Sequence, residues 1–432
     1  MASSVLAQSM RMALENRRHN STLRSIQDIP STSIDFSSND FLSLSKSHLI
    51  RHEYLSALYR TKSEDFRLGS GGSRLLDGNL PLASQLELML AEFHEAPSAL
   101  LFNSGFDANT SIFACIPQKG DVIIYDAYIH ASVHEGMKLS RATTMCSFEH
   151  NSLSHLRNLI FNLNKAEPGL MDGTKSIFVA IEALYSMDGD TAPLREIVEL
   201  IEELFPNGNG YLIVDEAHSN GIYGQNGRGL VHSLGLQSRI FARLHTFGKA
   251  LACNGAAILC DNLVREYLIN YAKPFIYTTS MSYPSLVAVK TVYTAMNQGT
   301  TQPFILHLET LIGYLFNQLN LLLSPFTTHP KSMETLLIIP LKTPLSPIFP
   351  LITPDPRGLA THCQAAGYLV RAIMPPTVPL GTQRVRICLH AGNTFKEVDN
   401  LVHCILLWLK KERRKEPSAQ MSCKRPLIKA VL

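Results

Sequence analysis

Short apolar runs alternate with amphipathic stretches from about residue 80 to residue 265 of this chain. Several runs are continuously apolar, which is typical of strands that helices cover on both faces. We predict strands at Ala99–Phe102, Val122–Tyr125, Ile177–Ile181, Tyr211–Val214, Ile240–His245 and Ala256–Cys260. The amphipathic stretches between them predict helices at Leu82–His94, Ser152–Leu163 and Leu194–Leu204. Repeated strand–helix–strand order predicts an α/β fold whose sheet is mostly parallel.

The pattern changes after Thr278–Ser280. Long helical stretches at Tyr283–Met296 and Leu306–Leu323 lead into a Pro-rich segment, Pro325–Pro356, and strand and helix patterns then return through Trp408. The first residues predict a helix, Leu6–Arg24, followed by a short strand that ends in Phe36–Asp40. We therefore predict three parts: an N-terminal segment 1–45, a large domain 46–282 and a smaller α+β domain 283–432.

Composition excludes several classes of protein. With 45% apolar and 17% charged residues, the chain is neither disordered nor fibrous. Its formal net charge of +3 is small for 432 residues, so we expect no nucleic-acid partner. No apolar run approaches the ~20 residues of a membrane span, so we expect no membrane partner. Its 8 cysteines form no CxxC pair, and we see no secretory signal, so we expect a reducing compartment and, by default, the cytoplasm.

The ends of two predicted strands carry residues for one particular chemistry. Tyr211–Val214 runs into Asp215 and, three residues later, His218; about thirty residues further on, Lys249 follows Thr-Phe-Gly. A lysine amine bonds to the aldehyde of pyridoxal 5'-phosphate (PLP), and a carboxylate keeps the pyridine nitrogen of PLP protonated. Each residue alone is weak support, because most lysines are solvated. Together, at the carboxyl ends of buried strands, they predict a PLP enzyme.

Other residues fit the remaining parts of such a site. Asn103–Asn109 follows a strand and opens a helix, where backbone N–H groups bind phosphate, and Thr246 adds a hydroxyl. His130 follows another strand and is a candidate to stack over an aromatic cofactor. It shares a helical face with His134, but no third ligand is evident, so we predict no metal site. Strand alternation places the guanidiniums of Arg384 and Arg386 on one face, where they either grip a carboxylate or form structural ion pairs.

At this point the sequence resembles the α-oxoamine synthases, fold-type I PLP-dependent transferases that condense an amino acid with an acyl thioester and release carbon dioxide. The resemblance covers about residues 14–402 and rests on motifs that span the chain. These motifs are FSSNDFLSLS (36–45), GSGGSRLLDGN (69–79), LFNSGFDAN (101–109), IHAS (129–132), YSMDGD (185–190), VDEAHSNGIYGQNGRG (214–229), HTFGKALACNGAAILC (245–260), YTTS (277–280) and PPTVPLGTQRVRICL (375–389).

The resemblance implies a role for each candidate residue. Lys249 would bond to the cofactor and exchange the proton at the α-carbon of the substrate, Asp215 would pair with the pyridinium nitrogen, and His218 would bond to the ring oxygen. The other cofactor contacts that it implies are His130, Gly105, Phe106, Ser186, Thr246, Thr278 and Thr279. The last two would reach the phosphate of the partner subunit, which implies a homodimer with shared active sites.

The resemblance also implies the substrate contacts. Arg386 would hold the carboxylate of the amino acid, with Asn39 nearby, and Arg24 and Thr377 would contact the acyl substrate. Within the family the motifs most resemble the member of the biotin pathway, which implies L-alanine and pimeloyl-CoA, or its acyl-carrier-protein equivalent, as substrates. Departures at Asn220, at Arg74–Asp77 and at Ala252–Asn254 leave the acyl specificity open.

Three alternatives remain at this stage. The first is another α-oxoamine synthase, either like serine palmitoyltransferase or one that releases a polyketide in secondary metabolism. Alanine, glycine and serine differ by a methyl or a hydroxyl group, which a pocket discriminates by only about 1–3 kcal/mol. The second is an aminotransferase or lyase on the same fold. The third is an inactive subunit of a heterodimer, against which Lys249 argues because such a subunit would be expected to lack it.

Overall fold

The computed structural model describes residues 4–20, 22–26, 28, 30, 32–323, 336–342 and 344–415. The chain divides into two compact units between Ile34 and Asp35. The first unit contains helix α1, Val5–His19, none of whose side chains is buried. The predicted helix Leu6–Arg24 was therefore too long. It ends at His19, because the backbone N–H of the C-cap Asn20 donates to the carbonyls of Asn16 and Arg18 and the Thr22 hydroxyl then donates to the Arg17 carbonyl in place of a further helical turn. Arg24 lies beyond it in an exposed, irregular stretch.

A two-residue strand, β1 (Ile34–Asp35), spans the boundary between the units, and the second unit contains a sheet of seven strands. Its strands are β2 Ser98–Phe102, β3 Val122–Asp126, β4 Thr144–Phe148, β5 Ile177–Glu182, β6 Gly210–Asp215, β7 Ala242–Thr246 and β8 Ala256–Cys260. Their order is β2-β8-β7-β6-β5-β3-β4, and β8 runs antiparallel to both of its neighbours. The prediction of a mostly parallel sheet is confirmed. It missed β4, an edge strand with partly exposed side chains.

Helices precede, connect and follow these strands, and several of them contact the sheet. They are α2 His48–Arg60, α3 Pro81–Phe93, α4 Gly105–Cys115, α5 Ala131–Lys138, α6 Leu153–Ala166, α7 Pro168–Met171, α8 Leu194–Leu204, α9 Leu230–Ser233, α10 Asn262–Tyr271, α11 Lys273–Tyr277, α12 Tyr283–Asn297 and α13 Gln302–Leu323. Two apolar cores result, one built around α4 and α5 and one around α6 and α8. None of the helices in the described part of the chain is long and apolar enough to cross a bilayer.

The C-terminal part forms a small antiparallel sheet, as the prediction of an α+β region requires. The elements of this C-terminal part are β9 Ile348–Ile352, α14 Pro356–Ala365, β10 Tyr368–Leu369, β11 Arg371–Ile373, β12 Arg384–Cys388 and α15 Phe395–Lys415. Strand β12 lies between β11 and β9. The predicted Pro-rich segment lies partly outside the described residues. The boundary that we predict between large and small domains, at residue 283, stays a prediction.

The parallel strands place their carboxyl ends along one edge of the main sheet. Strands β3, β5, β6 and β7 are neighbours in the order β7-β6-β5-β3, and all run in the same direction. They end at Asp126, Glu182, Asp215 and Thr246. Ligands of open α/β sheets bind outside such an edge. The candidate site therefore has to be built from these strand ends and from the loops that follow them.

Candidate active site

Asp215 is held by two hydrogen-bond donors at the end of β6. Its carboxylate accepts from the backbone N–H of Ala217 at 2.9 Å and from the side-chain amide of Asn109 at 2.7 Å. Asn109 lies on α4 and also donates to the hydroxyl of Ser132 at 3.0 Å. Both residues of the Asn109–Asp215 pair are buried. Hydrogen bonds of this kind fix the direction of a carboxylate.

Lys249 lies in the turn between β7 and β8. The turn is closed by the Phe247 N–H, which donates to the Gly255 carbonyl at 2.9 Å, and by the Cys253 N–H, which donates to the Phe247 carbonyl at 2.8 Å. Burial lowers the pKa of the Lys249 ammonium to about 8, although the charges of Asp215 and Glu182 oppose that shift. A substantial fraction of the amine is therefore neutral near pH 8, and the neutral amine is the nucleophilic form.

His218 has a buried ring nitrogen that lacks a partner. The side chain is only 5% exposed, and its Nδ1 makes no hydrogen bond within the described structure. Burial lowers the pKa of His218 well below its usual range, and the charges of Lys249 and Arg386 lower it further. The imidazole is therefore neutral. An unsatisfied buried nitrogen is costly, which makes it a candidate for bonding to a ligand.

His130 is fixed as the N-cap of α5. Its Nδ1 accepts from the backbone N–H of Ser132 at 3.2 Å and lies 2.7 Å from the Ser132 hydroxyl. In the neutral ring that bond leaves the proton on Nε2. Burial lowers the pKa of His130, and the charges of Asp215 and Lys249 both act on it, so the ring lies near both. The ring is held in place while the residue remains partly open to solvent.

Glu182 belongs to the same cluster, and the sequence analysis missed it. The register of β5 and β6 places it directly beside Asp215. It is 4% exposed, and burial, together with the charge of Asp215, raises its pKa well above the usual range. Its carboxyl group also accepts a hydrogen bond from the His130 backbone. The available signal was its place directly after the predicted strand Ile177–Ile181, three residues before the start of YSMDGD.

The N-terminus of α4 faces Thr246. The helix begins at Gly105 and is capped by the hydroxyl of Ser104, which accepts from the Asp107 N–H at 3.0 Å. A Cβ atom built on Gly105 would lie 3.5 Å from the Thr246 hydroxyl. Phe106, the next residue, is 46% exposed. Free backbone N–H groups and a hydroxyl therefore meet at one place, as the prediction of a phosphate site from this segment requires.

Thr278 and Thr279 are exposed, in the loop after α11. The carbonyl of Thr279 accepts from the Asn103 side chain at 2.6 Å, just before the start of α4. The next residue, Ser280, donates its backbone N–H to the Gly72 carbonyl at 3.0 Å. The two threonines thus lie on the surface beside the segment 69–79, which contains Gly72.

The two arginines of β12 differ in what they contact. Arg384 is 2% exposed and forms an ion pair with Asp188, so its role is structural. Arg386 is held by neutral acceptors: its Nε donates to the Ser186 carbonyl at 2.6 Å and its Nη2 to the Asn39 side chain at 3.0 Å. Arg386 has no ion pair with a carboxylate in the described structure, although it is 7% exposed. It is therefore the arginine suited to a carboxylate ligand.

Two predicted substrate contacts are not joined to this cluster by any described contact. Thr377 is exposed, and its backbone N–H donates to the Met374 carbonyl at 3.0 Å. Arg24 lies in the N-terminal unit. Their roles toward the acyl substrate stay predictions.

The residues present fit PLP. A buried carboxylate suits the pyridinium nitrogen, the unpartnered nitrogen of His218 suits a ring oxygen, and the start of α4 with Thr246 suits a phosphate. Lys249 supplies an amine with a lowered pKa. No group of three or more metal-binding side chains occurs among the described residues.

Comparisons with known proteins identify the family of the chain. The sequence model described as "Aminotransferase class I and II" matches residues 31–405. The chain is 48% identical over 411 residues to an 8-amino-7-oxononanoate synthase of Emericella nidulans, covering 95% of this chain and 98% of that protein. It is 40% identical over 383 residues to the aminoacyl transferase sphA of Aspergillus fumigatus, covering 85% and 79%. A solved structure described as SPT with PLP internal aldimine covers 94% of this chain and 99% of its own, with a TM-score of 0.79 at 22% identity.

The chain belongs to the class I and II aminotransferase family. Within it, the chain is an α-oxoamine synthase, as its sequence motifs predicted. The fold-type I prediction is confirmed by the family and by the structural neighbour, and the predictions of an acyltransferase and of PLP as its cofactor are confirmed with it.

Proposed function

We propose that this protein catalyses the decarboxylative condensation of L-alanine with pimeloyl-CoA, or pimeloyl-carrier protein, to 8-amino-7-oxononanoate, a step of biotin biosynthesis. The observation that carries the proposal is the buried group of Lys249, Asp215 and His218 beside Arg386, in a chain with 48% identity to a named synthase over nearly all of that protein. When bound, PLP supplies a ring that accepts the electrons released at the α-carbon of the amino acid.

The side chains of this protein position the reactants and move the proton. The neutral amine of Lys249 removes the proton from the α-carbon and later returns it, because a pKa of about 8 suits both directions. Asp215 would keep the pyridine nitrogen protonated, and the Asn109 amide fixes the orientation of the Asp215 carboxylate. His218 would bond to the ring oxygen and His130 would cover one face of the ring, with Ser132 fixing the orientation of the His130 imidazole.

Arg386 holds the carboxylate of the amino acid in this scheme. Its guanidinium is oriented by the Ser186 carbonyl and the Asn39 side chain, so the direction of its remaining N–H groups is set before the substrate arrives. Ser186 and the start of α4, with Gly105, Phe106 and Thr246, make the other cofactor contacts. Arg24 and Thr377 contact the acyl chain. Location in the cytoplasm stays a prediction from the sequence.

We also propose a homodimer in which Thr278 and Thr279 bind the phosphate in the partner's site. Large apolar side chains are exposed beside these threonines, at the start of α4 and in the segment 68–76, whose Gly72 carbonyl accepts from the Ser280 N–H, as an interface requires: Leu68, Leu75, Leu76, Phe106 and Tyr277. Such a surface is unfavourable in water and is stabilised when a second subunit covers it.

Hybrid dimers test the shared site. Lys249→Ala and the double variant Thr278→Ala/Thr279→Ala should each be defective alone. Mixed, they should regain about a quarter of the wild-type activity, because half of the dimers are hybrids and one of two sites in each hybrid is intact. The measurement is thiol release after the two proteins are co-expressed with different tags. Hybrids that can be isolated through both tags but remain inactive would place the threonines in their own subunit's site.

A different α-oxoamine synthase is the second candidate. It is favoured by the 40% identity to the aminoacyl transferase sphA and by the departure at residues 252–254, where Ala252 takes the left-handed conformation with φ of 53°. An Ala in that conformation is strained by about 1–2 kcal/mol. The backbone of the turn that carries Lys249 is therefore strained at Ala252. We expect this local conformation to change the acyl specificity of the enzyme.

A substrate matrix distinguishes the two candidates. Purified holoenzyme is mixed with L-alanine, glycine or L-serine and with pimeloyl-CoA or palmitoyl-CoA, and thiol release is followed by absorbance. We expect release with L-alanine and pimeloyl-CoA at a kcat/KM at least about tenfold above every other pair, the discrimination that one methyl or hydroxyl group provides. Preference for serine or for the long chain would keep the family and replace the proposed substrates.

A further inference from the structure

The segment Tyr185–Asp190 forms the support for Arg386. Three of its backbone carbonyls are bound by residues of the C-terminal part: Ser186 accepts from Arg386, Met187 from Arg384 at 3.2 Å, and Gly189 from the hydroxyl of Ser346 at 2.7 Å. Because Arg386 donates to the Ser186 carbonyl, a shift of this segment would shift the guanidinium of Arg386 with it. Because the contact is with backbone, the position of the segment matters more than the identity of its side chains.

His150 connects the other side of this segment to the main sheet. Its Nδ1 lies 2.8 Å from the carboxylate of Asp126, at the end of β3, and its Nε2 lies 2.8 Å from the carboxylate of Asp190. Asn151 supports the same link, since its side chain donates to Asp190 at 2.8 Å and its backbone N–H to Asp126 at 2.9 Å. One imidazole thus joins a rigid strand end to the segment that orients Arg386.

The surroundings of His150 keep its imidazole protonated and fix the orientation of the ring. Tyr128 stacks on it with ring centroids 4.3 Å apart, and Tyr185 meets it edge-on at 4.4 Å. Burial lowers the pKa of the imidazole, but the hydrogen bonds to Asp126 and Asp190, together with their charges, outweigh burial and raise the pKa to about 10. Both ring nitrogens then carry protons, so both hydrogen bonds are charge-assisted.

We propose that His150 is a positioning residue that sets the affinity for the amino-acid carboxylate through the segment Tyr185–Asp190 and Arg386. The inference rests on the proposed function, in which Arg386 binds that carboxylate. His150 itself touches neither Arg386 nor, in this scheme, the reacting atoms. A neutral side chain at position 150 reaches only one of the two carboxylates with a donor, which leaves Asn151 to make the link between Asp126 and Asp190 and weakens the hold of β3 on the segment.

His150→Gln tests the inference. The amide keeps a donor of similar reach but loses the charge and the second hydrogen bond. We expect the KM and the calorimetric Kd for L-alanine to rise on the order of tenfold, because one of two charge-assisted hydrogen bonds that fix the segment is lost. The kcat and the KM for the acyl thioester should stay within about threefold, because neither depends on the direction of Arg386. A loss of both KM values and of kcat together would show general damage and overturn the inference.

Two further variants provide a control and a second test of the link. His52→Gln is a matched control, because that imidazole lies on α2, is 76% exposed and pairs with its neighbour Glu53, so its loss should leave the L-alanine Kd unchanged. Asp190→Asn retains an acceptor for His150 and should raise the Kd by a smaller factor, about threefold, with an unchanged melting temperature. A wild-type Kd in both His150→Gln and Asp190→Asn would overturn the inference. Failure of the wild-type holoenzyme to bind any of alanine, glycine and serine would instead overturn the proposed function.

Discussion

Replacing Lys249 by Ala should lower kcat on the order of 10⁴-fold or more, because one side chain supplies both the covalent attachment of the cofactor and the proton transfer at the α-carbon. Burial lowers the pKa of this amine to about 8. The measurement is thiol release with L-alanine and pimeloyl-CoA. Mass spectrometry of borohydride-reduced, denatured protein should find the cofactor on Lys249 in the wild type and on no residue in the variant.

Lys273→Ala is the matched control for this prediction, since Lys273 is an exposed lysine at the start of α11. It should retain full turnover and the reduced cofactor adduct. Turnover by Lys249→Ala within tenfold of the wild type would remove Lys249 from the mechanism. Adduct formation on another lysine of the wild-type protein would have the same consequence, and would redirect attention to that residue.

The sequence predicted the sheet and the centre of the site for one physical reason. Strands that are covered on both faces are continuously apolar, so their ends are visible as the first polar residues that follow them. Asp215 lies at such an end, and Lys249 lies just beyond another. Because parallel strands end at the same edge, the two residues could be placed together without knowledge of the strand order.

The parts that the sequence left open depend on register and on contacts between distant segments. Glu182 belongs to the site because β5 and β6 pair it with Asp215, and no local pattern encodes that pairing. Asn109 reaches Asp215 across 106 positions of the chain. His150 lies on a loop after an edge strand that the sequence did not predict, so its link to Asp190 could not be seen.

The arginines of β12 show the same limit for two single side chains. Alternation correctly placed Arg384 and Arg386 on one face of a strand, and it left open whether they bind substrate or form ion pairs. The difference arises two residues apart in the opposite segment, where Asp188 meets Arg384 and the Ser186 carbonyl meets Arg386. A period-two pattern identifies a face, but the partner of each side chain on that face is a tertiary property.

Asp215→Asn should leave the cofactor bound and slow proton removal from the amino acid on the order of 10³-fold. Asparagine preserves the size of the side chain, but it lacks the negative charge that holds a proton on the pyridine nitrogen. The Asn109 amide, which donates to Asp215 at 2.7 Å, can still donate to the carbonyl oxygen of the new asparagine, and only the Ala217 N–H loses its acceptor. The pocket should therefore stay folded while the electron-accepting power of the ring falls.

Exchange of the α-hydrogen of L-alanine in D₂O, followed by NMR without any acyl thioester, isolates this step. The wild-type holoenzyme should exchange it readily and Asp215→Asn should not, although both show the same cofactor content. Asp261→Asn provides the control, because Asp261 is an exposed N-cap of α10 whose loss affects only the helix. Exchange by Asp215→Asn at the wild-type rate would mean that the charge on the ring is set by another group. Glu182, buried beside Asp215 on the neighbouring strand, would then be the residue to replace next.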